Sequence, residues 1–276
     1  MKILGILNVT PDSFYDGGKY LKIEDALSQA EKLISEGADI IDIGGESTRP
    51  GSQPVSVEEE IKRVVPVIKE IKKRWSQVPL SIDSYKYEVI KQALENGVEI
   101  INDIYALRYS PEVINLLKIY PDVKIILMHM QGTPQTMQIN PYYPKGVISD
   151  IKEFFIERIK FLIENKIDLK RIILDPGIGF GKTTQHNIEI LKNLKEFKKL
   201  TIDGEVFTFE VLVGLSRKSF IGRILGSEEN PLPPQERYEG SIVLHTYCIL
   251  QGVDYLRVHD VKATKQALKL LSRIME

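Results

Sequence analysis

Residues 78–103, VPLSIDSYKYEVIKQALENGVEIIND, decide the fold. The aliphatic run 78–82 stops at the polar pair Asp83-Ser84. Residues 87–96 then carry apolar groups at helical spacing among good helix formers, and a second aliphatic run, 99–101, stops at Asn102-Asp103. A strand, a polar end, a helix and another strand with a polar end make one unit of a parallel sheet.

The same unit repeats in both directions along the chain. Runs 3–7, 40–43, 123–128, 171–174, 211–215 and 253–256 bring the strand candidates to eight, and segments 24–36, 57–74, 150–165 and 187–197 have helical character. An open doubly wound sheet would alternate likewise, but it would gather its polar groups near one switch point behind a glycine-rich first turn. Here every run is followed by a group able to bind or catalyse: Asn8, Glu46, Asp83, Asn102, His129, Asp175, Lys218 and the pair Arg257 and His259. Only a ring of strands brings all of these together. The expectation is an α/β chain folded as one (β/α)8 TIM barrel over residues 1–276, working at the C-terminal strand ends, with long active-site loops after the first and second strands. Of the long irregular stretches 12–22, 131–145 and 226–235, the first two are expected on that face.

The totals agree with an enzyme of small molecules. In 276 residues, 37 Lys and Arg meet 38 Asp and Glu for a net charge of -1, spread along the chain, so there is no basic face for a nucleic-acid backbone. The one cysteine, Cys248, lies in an apolar run and reads as a small buried side chain. The first apolar stretch ends at Asn8, too short for a signal-peptide core, and no run reaches the length of a membrane span; a cytoplasmic protein is expected.

Each motif has an ordinary reading beside the functional one. Asn8-Val9-Thr10-Pro11-Asp12-Ser13-Phe14 with Gly17-Gly18 is good turn chemistry, yet Asn8 also offers Mg²⁺ a neutral oxygen and Phe14 would sit on a lid. In residues 40–51, IIDIGGESTRPG, Arg49 is a planar fork for an anion, while Asp42 is an acid inside an apolar strand that must find a partner; it is given no catalytic role. Asp83, Ser84, Asn102 and Asp103 are ordinary helix caps when taken singly. Together with Asp175 they match a heterocycle that presents adjacent ring N–H and amino donors. The glycines of 174–182, LDPGIGFGK, lack nucleotide-loop spacing and are better read as letting a flat ligand lie close, with Phe180 covering an aromatic partner. Lys218 is a donor to a ring atom rather than part of a Ser-Lys nucleophile. Arg257 and His259, on one side of the last strand, make a cationic cup for a diphosphate. His129 reads as a structural histidine, since four histidines without ligand spacing do not make a zinc site, and Asp203-Gly204-Glu205 and 226–235 read as surface turns.

These segments, in order, resemble the dihydropteroate synthase family of pterin-binding barrels: 5–14, 42–51, 81–84, 101–103, 127–132, 174–181, 216–220 and 257–260. The resemblance implies condensation of 6-hydroxymethyl-7,8-dihydropterin diphosphate with p-aminobenzoate, releasing diphosphate and 7,8-dihydropteroate. It implies a pterin site of Asp83, Asn102, Met128, Asp175, Gly179, Lys218 and Arg257. The diphosphate would face Asn8 with Mg²⁺, Arg49, Arg257 and His259. The p-aminobenzoate would be framed by Phe14, Thr48, Pro50, Phe180, Lys218 and Ser219, with loops 9–20 and 47–57 closing over both substrates. The catalytic set would be Asn8, Arg49, Asp83, Lys218, Arg257 and His259. Sulfonamide competition with p-aminobenzoate and a homodimer through the helical shell are further implications; no nucleic acid or membrane partner is expected.

Two features depart from the family pattern. The chain starts almost directly on its first strand, so the barrel floor is expected to be sealed differently, and 199–209 reads as a peripheral insertion. A pterin-dependent methyltransferase barrel is the nearest alternative, though it has no use for a diphosphate cup, and a non-catalytic pterin-binding relative is the second.

Overall fold

The computed structural model describes residues 1–10, 19–49 and 51–275. Eight parallel strands close into a barrel: β1 (Lys2–Asn8), β2 (Ile40–Gly44), β3 (Leu80–Asp83), β4 (Ile100–Asp103), β5 (Lys124–Met128), β6 (Ile172–Asp175), β9 (Glu210–Val213) and β10 (Tyr255–Val258), with β10 returning to pair with β1. Helices α1 (Lys19–Ser35), α2 (Val57–Arg74), α3 (Tyr87–Glu95), α4 (Val113–Ile119), α5 (Val147–Glu164), α6 (Thr184–Lys192), α7 (Ser219–Leu225), α8 (Tyr238–Leu250) and α9 (Val261–Met275) surround it. The stretch expected as loop at 12–22 is shorter at its end, because α1 already begins at Lys19, directly after the glycine pair and with no breaker in its first turn. Among the described residues no helix is long and apolar enough to cross a membrane.

Both faces of the strands are covered, so they read as near-continuous apolar runs. Residues such as Ile3, Ile41, Ile82, Ile101, Leu174 and Leu256 turn outward into the main core beneath the helices. Leu4, Ile40, Ile100, Ile126, Ile173, Leu212 and Tyr255 turn inward and fill the barrel as a separate cluster. Strand side chains alternate with period two, so residues an even step beyond that inner cluster also face the interior. Asn8, Asp42, Asn102, Met128, Asp175 and Arg257 all satisfy this, and Asp83 is register partner to Gly44 and Asn102. The apolar plug thus supports a polar layer at the C-terminal strand ends.

At the opposite end, Lys124 Nζ lies 2.6 Å from Glu210 Oε2 and 3.2 Å from the Tyr255 hydroxyl, a polar trio at the N-terminal ends of β5, β9 and β10. Segment 199–209 is a hairpin of its own, β7 (Lys199–Ile202) against β8 (Glu205–Thr208), with Leu200 and Ile202 buried. Its turn, Asp203-Gly204, has φ of 51° and 87°, the conformation for which Asp-Gly is the preferred pair. The polar residues that mark it as a surface turn are the hairpin's tip.

Candidate active site

Three carboxylates and an arginine from separate strands meet inside the barrel mouth. Arg257 donates from Nε to Asp42 Oδ2 and from Nη2 to Asp83 Oδ2, both at 2.6 Å. Asn102 donates from Nδ2 to the same Asp42 oxygen at 3.2 Å. Asp42, left without a role by the sequence, is therefore the anchor of the cluster: it is fully buried, and the guanidinium is what makes that burial tolerable. Burial raises Asp83 to about 7, with Arg257 pulling the other way and Asp42 adding to the rise. Burial also works against the charge on Arg257, but Asp42 and Asp83 more than reverse this and hold it above the usual range. Asp175, at the end of β6, is likewise raised by burial, opposed by Lys218 and by the Gly177 amide that donates to its Oδ1 at 2.8 Å.

The glycine loop after β6 forms one wall. Lys218 donates from Nζ to Ile178 O at 2.5 Å, and its ammonium stands 4.5 Å from the centre of the Phe180 ring. A Cβ at Gly179 would come within 3.1 Å of Lys218 Cδ, so the loop backbone touches the lysine stem. Met128 packs in a small cluster with Tyr85, Ile104, Met130, Met137 and the edges of Tyr105 and Phe180, an apolar and polarisable surface suited to a flat ring. Lys182, fully buried, fastens the loop to β5 by donating to Phe180 O at 2.9 Å and contacting His129 Nδ1 at 3.0 Å. His129 is thus the structural histidine its sequence context indicated.

Gly177 is the tightest point of this loop. Its φ is +68°, and a Cβ there would stand 1.9 Å from His129 O. Gly177→Ala should lower the melting temperature well beyond Gly204→Ala, whose φ is +87° but whose Cβ would meet nothing within 4 Å. Backbone strain costs about 1–3 kcal/mol in both, and the clash adds to it only at Gly177. Equal melting temperatures for the two variants would show that the loop gives way freely.

Beside His259 stand two guanidiniums, Arg49 and Arg217, whose charges act on its imidazole. Arg49 is exposed on the loop after β2, and Arg217 forms a bidentate pair with Asp260 at 2.6 and 3.0 Å. Burial lowers His259 to about 4, and neighbouring Arg257, Arg49 and Arg217 act in the same direction against Asp260. Its buried Nδ1 has no hydrogen-bond partner among the described residues. A negative charge brought near this neutral imidazole would raise its pKa.

The structure therefore brings together Asp83, Asn102, Met128, Asp175, Gly179, Phe180, Lys218, Arg257 and His259. Asn8 ends β1 beside Gly44, Thr48 and Arg49 follow β2, and Ser219 opens α7 next to Lys218. Phe14 and Pro50 lie outside the described residues. Sequence reading placed Arg257 with the diphosphate and, through the resemblance, with the pterin; its double pairing with Asp42 and Asp83 was not foreseen, although an acid in the middle of β2 was the signal that a cation must face it.

Comparison with known proteins agrees with this geometry. Residues 4–259 match the family described as pterin binding enzyme. Dihydropteroate synthase of Escherichia coli strain K12 is 43% identical over 269 residues, covering 98% of this chain and 90% of that protein. The enzyme of the same name from Neisseria meningitidis serogroup B is 46% identical over 273 residues, covering 98% and 91%. Among solved structures, Yersinia pestis dihydropteroate synthase in complex with a sulfonamide drug superposes with a TM-score of 0.87 at 40% identity, covering 99% and 94% of the two chains. The Burkholderia cenocepacia enzyme complexed with 7,8-dihydropteroate does so with 0.85 at 38%, covering 99% and 91%. Sequence kinship along nearly the whole barrel, and a backbone shared with structures of that activity, place this chain in the pterin binding enzyme family, among its dihydropteroate synthases.

Proposed function

We propose that this transferase joins 6-hydroxymethyl-7,8-dihydropterin diphosphate to p-aminobenzoate by dissociative departure of the diphosphate, followed by attack of the arylamine. The observation that carries the reading is the meeting of Asp83, Asp175 and Lys218 with Arg257 at one barrel mouth. The carboxylates of Asp83 and Asp175 accept from the ring N–H and amino group of the pterin, and Lys218 donates to its ring acceptors. Met128 lies against the ring face, with the Arg257 side chain packing over it.

The bond that breaks joins the pterin methylene to a diphosphate oxygen, and its electron pair leaves with the diphosphate. Arg49, Arg257 and His259 neutralise that departing charge, while the electron-rich dihydropterin shares the positive charge left on the methylene. The amine nitrogen of p-aminobenzoate then supplies the pair for the new C–N bond and loses a proton to solvent. No covalent enzyme intermediate is required. Thr48, Phe180, Lys218 and Ser219 would frame the aminobenzoate, with Phe14 and Pro50, which lie outside the described residues, assigned there by the family resemblance alone.

Mg²⁺ fits this scheme as a shared ligand rather than a caged one. Among the described residues no group of three His, Cys, Asp or Glu could hold a metal ion. Asn8 offers one hard neutral oxygen at the head of β1, enough for an ion that takes its remaining ligands from diphosphate and water. When bound there it would draw negative charge off the leaving group.

A homodimer through the helical shell belongs to the same proposal. It is supported by exposed large apolar residues on adjacent helices: Ile224 and Leu225 of α7, Val243 and Leu250 of α8, and Leu270 and Ile274 of α9. A cytoplasmic location is part of it as well.

Steady-state diphosphate release with both substrates, with and without Mg²⁺ and with a sulfonamide competing against p-aminobenzoate, tests the reaction. Tight pterin binding with no diphosphate formed would favour a mere binder, and transfer of a methyl group to a corrinoid partner would favour the methyltransferase reading. The pH profile tests Lys218 separately. Burial lowers its pKa to about 8, against the pull of Asp175. The cation is present below that value, so kcat/KM should fall as pH rises through about 8, and Lys218→Arg should shift that limb upward. A limb unmoved in Lys218→Arg would assign it to another group.

A further inference from the structure

The buried ammonium of Lys86 joins the two ends of the loop that follows β2. From Nζ it donates to Glu46 Oε2 at 2.6 Å at the start of that loop, and to Val55 O at 2.5 Å at its finish. A third bond, at 2.6 Å, reaches Glu60 Oε2 in α2. Glu46 closes the ring, accepting from the Val55 amide at 2.6 Å on Oε2 and from the Tyr85 hydroxyl at 2.6 Å on Oε1. Lys86, Glu46 and Glu60 are exposed by only 6, 8 and 1% respectively.

Two carboxylates and one ammonium taken out of water are an expensive arrangement for a mere surface loop. Cheaper packing was open to the fold, since α2 already buries Val64, Ile68 and Ile71 beside it. What the charges add is a fixed span: Glu46 and Val55 are held by bonds to one another and to the same nitrogen. The eight residues between them, 47–54, include Thr48 and Arg49. Further along the loop, Gly51 N donates to Pro134 O at 3.1 Å and Gln135 Nε2 to Ser52 O at 3.0 Å, so the crest is tied to the 131–145 loop. The base is tied by Lys86.

We propose that Lys86 is a positioning residue for the loop's own contacts: it clamps the base of loop 47–54 so that Thr48 is presented to p-aminobenzoate and Arg49 to the diphosphate over the barrel mouth. It touches neither substrate itself. The assignment of p-aminobenzoate to that loop rests on the reaction proposed above. The pterin ring is gripped by strand-end residues that Lys86 does not contact, so losing the clamp falls on the groups the loop carries, Thr48 at the aminobenzoate and Arg49 at the diphosphate, and not on the ring.

The test compares Lys86→Met, Lys86→Arg and Glu46→Gln with the wild type in two readouts. In amide hydrogen exchange followed by mass spectrometry, Lys86→Met and Glu46→Gln should speed exchange in 47–55 by at least about tenfold while β3 and β4 keep their protection. In kinetics the KM for p-aminobenzoate should rise by about tenfold or more, while the Kd for 6-hydroxymethyl-7,8-dihydropterin, which lacks the diphosphate, stays within about twofold of wild type. Lys86→Arg should restore much of both. Glu46→Gln keeps the volume of the side chain, so it decides the matter if Lys86→Met does not fold. Unchanged exchange in 47–55 overturns the clamp whatever the chain catalyses. Faster exchange with an unchanged KM for p-aminobenzoate, or with the affinity for the diphosphate-free pterin lost as well, overturns the positioning role. If the wild type releases no diphosphate, the reaction fails and the exchange readout still judges the clamp.

Discussion

Asp83→Ala loses pterin binding by at least about a hundredfold in Kd. Each charge-assisted hydrogen bond removed is worth about 1.5–3 kcal/mol, and every 1.4 kcal/mol is about tenfold. The ring would face its partner carboxylate on Asp175 alone, across a gap that leaves one donor unpaired. The variant also strips Arg257 of one of the two carboxylates that hold it at 2.6 Å. Removing one member of a buried pair can cost about 3–5 kcal/mol of stability. Asp83→Asn is therefore the sharper variant, because it keeps the shape and one acceptor oxygen while turning the other toward the ligand as a donor. Calorimetric titration with the pterin diphosphate, alongside a thermal melt, separates affinity from folding. Wild-type affinity in a folded Asp83→Asn protein would remove the carboxylate from the pterin site.

Arg257→Ala should lower kcat/KM by about 10²–10³, the usual loss when one preorganised donor to a developing oxyanion is removed. The deletion reaches further than the leaving group. Asp42 and Asp83 would be left as buried acids without their shared cation, and Asp83, already raised to about 7 with Arg257 opposing, would rise further. At neutral pH it would be protonated, without its charge and with one of its two oxygens turned from acceptor to donor toward the ring. Since a raised carboxyl ionises only above its pKa, pterin binding by the variant should gain its Asp83-dependent rise at a higher pH than the wild type, in which that rise falls near 7. Arg257→Lys keeps a charge but not the fork that reaches both acids, so it should fall between the two. An Arg257→Ala enzyme with normal turnover and no upward shift of that rise would dismiss both of its roles.

The barrel was legible because its strands are short, apolar and each closed by a polar residue. Period-two alternation carries that legibility to the site: Asn102 two steps beyond Ile100, and Asp175 two beyond Ile173, could face only inward once the sheet closed. What the sequence did not reveal were the partnerships between side chains far apart in the chain. Asp42 and Arg257 are 215 residues apart, and only the closure of β10 onto β1 sets them across the mouth from each other. The Lys86 clamp was hidden for the same reason. Glu46 looked like one more polar strand end, and nothing local says that a lysine at the start of α3 will reach it. The hairpin at 199–208 was half visible: its Asp-Gly tip declared a turn, while its four-residue strands are too short and too polar for their alternation to stand out.

The most direct measurement is the crystal structure of this protein with the bound pterin diphosphate. The ring's donor edge should lie within hydrogen-bond reach of Asp83 and Asp175, with Lys218 beside it and the phosphates toward Arg49 and His259. A ligand seated elsewhere would contradict the account, most plainly one in the cavity of about 650 Å³ at the N-terminal end of the barrel, lined by Ile163, Lys166, Leu169 and Phe207.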